Sequence, residues 1–140
     1  MRRARGRRRR AFWGDDPDAA CDFANVHDET GKRENGYTWT HHECDDGHAK
    51  TSPVGSFEAN GFGLQDVLGN VWEWTQDCWN GSYTGAPEDG SAWTEGNCGG
   101  RVLRGGSWFN RPVYVCSAYR VRFNTESRID NLGFRPARTL

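Results

Sequence analysis

An irregular α+β or mostly β domain of short strands and long loops is what this sequence predicts. Three observations carry the expectation. Gly, Asp, Asn and Pro interrupt residues 12–62 so often that no long run at helical spacing survives. Alternating apolar and polar residues, the mark of a half-buried strand, recur only in short stretches after residue 70. Tryptophan is abundant, at 7 residues beside 18 glycines and a hydrophobic content of 35%, a composition that pins loops with large rings.

Taken in order, "MRRARGRRRR" holds seven of the 18 basic residues, so residues 1–11 read as a basic, unstructured tail and residues 12–140 as the domain. "PDAACDFANVHDE" comes nearest to a helical patch but is short and polar. "NVWEWTQD" alternates, with Val71 and Glu73 to one side and Trp72 and Trp74 to the other, a strand carrying two aromatics inward. "RVLRGGSW" is a strand running into a Gly-Gly bulge, where a missing Cβ lets another backbone come close. "VYV" alternates, "CSA" breaks the run, and "YRVRF" alternates again, with Tyr119, Val121 and Phe123 on one face and Arg120 and Arg122 on the other. "NLGFR" closes the chain with a turn and a last short strand.

The net charge of -1 hides a division. After residue 10 there are 11 Lys/Arg against 19 Asp/Glu, so an acidic body follows a strongly basic tail. Nucleic-acid binding through such a tail would collapse with salt; a solvated leader is the plainer reading. The tail has no apolar stretch after its arginines and so is not a secretory signal. No run approaches the roughly 20 apolar residues that span a bilayer.

Five cysteines without a C-x-x-C pair argue against a zinc ribbon and allow two disulfides with one thiol left over. Cys78 and Cys98 bracket a loop dense in Gly, Ser, Asn and Pro, which a disulfide would stabilise by roughly 3 kcal/mol. Cys21 with Cys44 would do the same around residues 22–43. Formation of both implies an oxidising, extracytoplasmic compartment; five reduced thiols in a cytosolic protein are the alternative. "HHECDD" is not a metal cluster on this reading, because adjacent side chains of an extended segment point opposite ways.

Four stretches taken together, "FWGDDPDAACDFANV", "PVGSFEANGFGLQDVLGNVWEWTQD", "RVLRGGSW" and "NLGFR", resemble the formylglycine-generating enzyme, or sulfatase-modifying factor, family. The resemblance covers residues 12–138 and implies an α+β, irregular C-type-lectin-like fold. The family domain is longer at its N-terminus, and "RARGRRRRAFWGDD" resembles a junction inside it, so the resemblance implies an N-terminally shortened domain. It also implies two calcium sites. One would take side-chain oxygens from Asn25 and Asp46 and carbonyls from Val26 and His48. The other would take the Asn60 side chain with carbonyls from Gly61 and Gly63. Irregular loops supply the hard oxygens calcium needs, although Asn-Gly and Asp-Gly are also ordinary turn chemistry.

The family's oxidases hold copper between two cysteines five residues apart, just after the Gly-Gly-Ser-aromatic stretch. Here those positions carry Asn110 and Val115. Cys116 is one residue off, which in a strand turns its side chain to the other face. No copper is therefore expected, and the resemblance implies the fold without its catalytic apparatus.

The replacement segment has its own signature. Among the 23 positions from Phe109 to Asn131, every residue except Glu126 can be encoded by changing the two adenines of an asparagine codon. Segments of this kind, with this ending, resemble those of the variable proteins of diversity-generating retroelements, where adenine-directed mutagenesis rewrites a binding surface. The resemblance implies a non-catalytic module that contacts a protein or surface ligand through Phe109, Asn110, Arg111, Val113, Tyr114, Tyr119, Val121, Phe123 and Arg128. Aromatic residues and arginine dominate such contact surfaces. The structural alternative is a buried Tyr119, Val121 and Phe123 face, with Arg120, Arg122 and Arg135 in salt bridges. The functional alternative is a family enzyme with divergent or lost activity.

Overall fold

One four-stranded sheet organises the chain. Its strands are β1 (Trp72–Trp79), β2 (Asn97–Arg104), β3 (Arg120–Asn124) and β4 (Leu132–Gly133), in the order β3-β2-β1-β4. Adjacent β1–β2 and β2–β3 pairs run antiparallel and β4 runs parallel to β1. The computed structural model describes residues 10–137; the arginines before residue 10, and with them the nucleic-acid expectation, lie outside the described residues.

Of the stretches read as strands, "NVWEWTQD", "RVLRGGSW", "YRVRF" and "NLGFR" each contribute one, and the pattern of burial explains why. Trp72 in β1 and Val102 and Leu103 in β2 are buried, as is Trp108 just beyond β2. Trp74 is only half-buried, because β1 loses regular pairing with β2 between Trp74 and Cys78. At the end of β2 the chain turns through Gly105 and Gly106, both at positive φ (97° and 77°). A Cβ on Gly106 would meet Val115 at 3.0 Å, so the close approach foreseen for a Gly-Gly bulge is present.

The loops are knitted by Asn70. Its backbone N–H donates to Asn25 O (2.7 Å), its carbonyl accepts from Trp108 N (2.9 Å), and its side chain exchanges hydrogen bonds with the Ser52 backbone. A small apolar cluster, Ala20, Ala24, Val26, Leu68 and Val115 with Ala11, packs under Phe12 and Trp13. Both disulfides form, Cys21–Cys44 (Cα–Cα 6.0 Å) and Cys78–Cys98 (4.5 Å), and Cys116 is free. Two disulfides are compatible with an extracytoplasmic setting. No helix of the described residues is long and apolar enough to cross a membrane.

Two local expectations are corrected. "VYV" is not extended: Pro112–Tyr114 is a 3-10 turn, set by proline at its first position and closed by Val115 N donating to Pro112 O (3.2 Å). A short helix, α1 (Glu29–Asn35), stands where no helical run was legible. It has no apolar stripe and is held by its ends. Asp28 caps Gly31 N (2.7 Å), and Gly36 closes the helix in the left-handed conformation.

Candidate functional site

The surface between β3 and the Gly-Gly elbow is where the sequence-predicted contact residues converge. Tyr119, Val121 and Phe123 project from one side of β3 and, with Trp72, floor an open hollow of about 310 Å³. Phe109, Asn110 and Tyr114 form its rim and also border a second hollow of about 180 Å³, completed by Arg111 and Trp39. The two hollows thus share three residues and form one continuous, largely aromatic depression.

Ring geometry makes the surface rigid. Tyr114 meets Tyr119 at 4.9 Å between centroids, and Trp39 meets Phe109 edge-on at 4.8 Å. Tyr37 stacks behind Trp39 at 4.4 Å. The Trp39 indole N–H donates to Phe109 O (3.2 Å), which ties a loop far back in the sequence to the rim. Aromatic pairs in such arrangements add about 0.5–1.5 kcal/mol each beyond their burial.

At the floor is a short polar relay. Asn131 Nδ2 donates to Ser107 Oγ (3.1 Å), and Ser107 Oγ donates to Asn110 Oδ1 (2.7 Å). Asn131 Oδ1 is buried without a hydrogen-bond partner among the described residues. The lining of the depression holds no carboxylate, imidazole or thiol. Chemically, the arrangement offers apolar contact, the Arg111 guanidinium and the phenols of Tyr114 and Tyr119.

Seven of the nine predicted contact residues line the depression. Val113 is exposed but lines neither hollow, and Arg128 is turned back onto the Thr125 and Ser127 carbonyls (3.2 and 2.9 Å). The buried-face alternative for β3 does not hold, since Val121 and Phe123 are half-buried and Tyr119 is 37% exposed. Of the three arginines assigned to salt bridges, only Arg135 is in one among the described residues, with Glu73 (2.9 Å). Trp39, Trp72, Ile129 and Asn131 were missed. The alternation in "YTW" hints at an aromatic face at Tyr37 and Trp39, but nothing local connects it to residue 109.

At the positions matching the family's copper ligands the residues do not fit the ion. Asn110 offers a neutral amide already bonded to Ser107, while Val115 is buried in the apolar cluster on the far side of the elbow. The Cys116 thiol leans on Val113 O (3.8 Å) with no second thiolate to pair with.

The first calcium set fits better. Asn25 is fully buried and its Oδ1 has no hydrogen-bond partner among the described residues. Asp46 accepts from Val26 N (2.7 Å) and His48 N (2.8 Å), bringing all four predicted residues together. Burial, with the nearby Asp28 charge as a lesser cause, pushes the Asp46 carboxyl up to about 7. The neighbouring Cys21 sulfur is in a disulfide and supplies no thiolate. In the second set Asn60 Oδ1 already accepts from Phe62 N (2.9 Å) and Leu64 N (3.1 Å), so an ion would displace two amides. His41 and His42 diverge as expected, one to Glu29 (2.8 Å) and the other buried against Pro17 O.

Comparison with known proteins extends this picture. The model of the sulfatase-modifying factor enzyme 1-like domain matches residues 2–140. A formylglycine-generating enzyme of Streptomyces coelicolor is 40% identical over 98 residues, 67% of this chain and 31% of that protein. The structure of PvdO from Pseudomonas aeruginosa superposes with a TM-score of 0.66 at 39% identity, covering 81% of this chain and 38% of that one. Treponema denticola variable protein 1 superposes with a TM-score of 0.59 at 30% identity, covering 81% and 34%. The chain therefore spans about a third of the length of these relatives.

Proposed function

The chain belongs to the sulfatase-modifying factor enzyme 1-like domain family, and from that membership we propose that it is a non-catalytic, ligand-binding member whose contact surface is the segment 109–131. One observation carries the reading: Asn110, at the first of the two copper-thiol positions, lies on the rim of a continuous aromatic depression, while Val115, at the second, is packed in the apolar cluster. Aromatic rings on a braced frame bind with little ordering entropy to lose. The ligand that suits the surface is a protein or surface group with an apolar or aromatic body and a hydrogen-bond acceptor for Arg111 or the tyrosine hydroxyls. Likeness to a variable protein supports the further step, that codons 109–131 are diversified by a retroelement.

Calcium belongs to the same proposal. Asn25 and Asp46, with the Val26 and His48 carbonyls, would hold one ion that braces the loops behind the depression. The turn at Asn60, Gly61 and Gly63 would hold a second more weakly, because its side-chain oxygen is already engaged. The ion's contribution would be structural, as a hard cation bound by oxygen ligands.

The test is the gene itself. Sequencing its 3′ end across a population of the source organism should show substitutions concentrated in codons 109–131, with a near-copy beside a reverse transcriptase that differs at adenines. A uniform end without a copy removes the diversified reading. A Cu(I) titration separates the enzyme alternative: stoichiometric binding abolished by Cys116→Ser would restore it.

A further inference from the structure

We propose that the side of β3 opposite the depression is a second binding site, which takes a carboxylate-rich peptide segment. Arg120 and Arg122 project from that side, and Arg104 of β2 lies directly across from Arg120 in the antiparallel register. Like charges opposed across a strand pair are destabilising. No carboxylate neutralises them: among the described residues none of these three arginines is in an ion pair. Three cations without a carboxylate partner on one sheet face of an otherwise acidic body repel one another, a cost that an anionic ligand would offset.

The groups are also pre-set for recognition. The Arg120 guanidinium carbon lies 4.6 Å from the Trp79 ring centre and 4.4 Å from that of Tyr83. Stacking of this kind fixes the plane of the guanidinium and leaves its edge N–H groups available for a carboxylate fork. Arg104 Nη2 donates to the Tyr83 hydroxyl (3.0 Å), so two arginines are gauged from one ring. Arg122 lies over the bare backbone of Gly100, where any Cβ would displace it. Tyr83 sits in the loop closed by the Cys78–Cys98 disulfide, which holds the aromatic wall near the strands.

A peptide suits the site better than a nucleic acid. The chain after residue 10 carries 11 basic against 19 acidic residues, so a polyanion of uniform high charge is repelled over most of its length. A short run of Asp or Glu needs only the three cations present. Arginine clusters are a recurrent means of holding acidic motifs.

The experiment uses the full chain and a second full-length version in which the arginines at positions 2, 3, 5, 7, 8 and 9 are serine. The probes are a fluorescein-labelled octaglutamate peptide and an oligothymidylate of eight nucleotides. The peptide should bind both proteins at low salt. In each, Arg120→Gln and Arg122→Gln should weaken it by about tenfold, the scale of a lost charge-assisted hydrogen bond. Arg33→Gln, an equal charge change on α1, should not. Arg122 is exposed, so its variant folds even if that of Arg120 does not. Binding that vanishes with the tail arginines, or that ignores both Gln variants, overturns the proposal. So does tighter oligothymidylate binding in the serine version with the same dependence on Arg120 and Arg122.

Discussion

Asp46 is buried under two competing demands. Its folded-state pKa, about 7, lies above the ordinary 3.8, so the folded chain holds this proton more tightly than the unfolded chain does. The resulting stabilisation is complete below about 3.8 and is lost as pH rises toward and through about 7. Calcium needs the carboxylate and works in the opposite direction. In EDTA, the melting temperature of the wild type should fall relative to Asp46→Asn between pH 4.5 and pH 8. At pH 8, calcium should raise the melting temperature of the wild type but not that of Asp46→Asn or Asn25→Ala. A calcium response surviving in both variants would remove the ion from this place. The residues of this cradle were named by motif; that Asn25 Oδ1 stands unpaired was not legible, because Lys50 and Asn70, which take its amide hydrogens, come from loops far apart in sequence.

Among the elements, the strands were the readable part. "YRVRF" alternates because β3 has two different sides, a depression on one and Arg120 and Arg122 on the other. Helix α1 was not readable, since "ETGKREN" has no apolar period and depends on caps and on Thr30 and Asn35 bonding to Asp45 and Ala49 (2.8 and 2.6 Å). "VYV" misled for a related reason: after Pro112 the local turn decided the backbone, not the alternation. The Gly105–Gly106 elbow was legible as glycine chemistry, and its cost can be stated. Gly106→Ala should destabilise by about 2 kcal/mol in urea unfolding, because a side chain there meets Val115 in a backbone conformation (φ 77°) that favours glycine. An unchanged midpoint would show that the elbow relaxes freely.

For the whole molecule, frame and contact surface are separable. Val113 and Ile129 are 48% and 49% exposed, so serine at either should change stability by no more than about 0.5 kcal/mol. Val115, two residues from Val113 but buried in the apolar cluster, should cost about 2 kcal/mol as alanine. Equal losses at all three positions would mean that the segment folds as one packed unit. The fold class was open to reading because motifs at four separated places agreed with one another. The depression was only half readable: its far wall, Tyr37 and Trp39, lies some seventy residues from its rim, and only the folded chain joins them.

That wall has an evolutionary consequence. Under the proposed diversification, any rewriting of residues 109–131 would leave Tyr37 and Trp39 untouched, so every descendant surface would inherit the same pair of rings at its edge. The repertoire open to such a gene would then not be arbitrary. Each new partner would have to tolerate a flat aromatic flank on one side, and lineages selected against unrelated targets would still converge on ligands with something flat or greasy to lay against it.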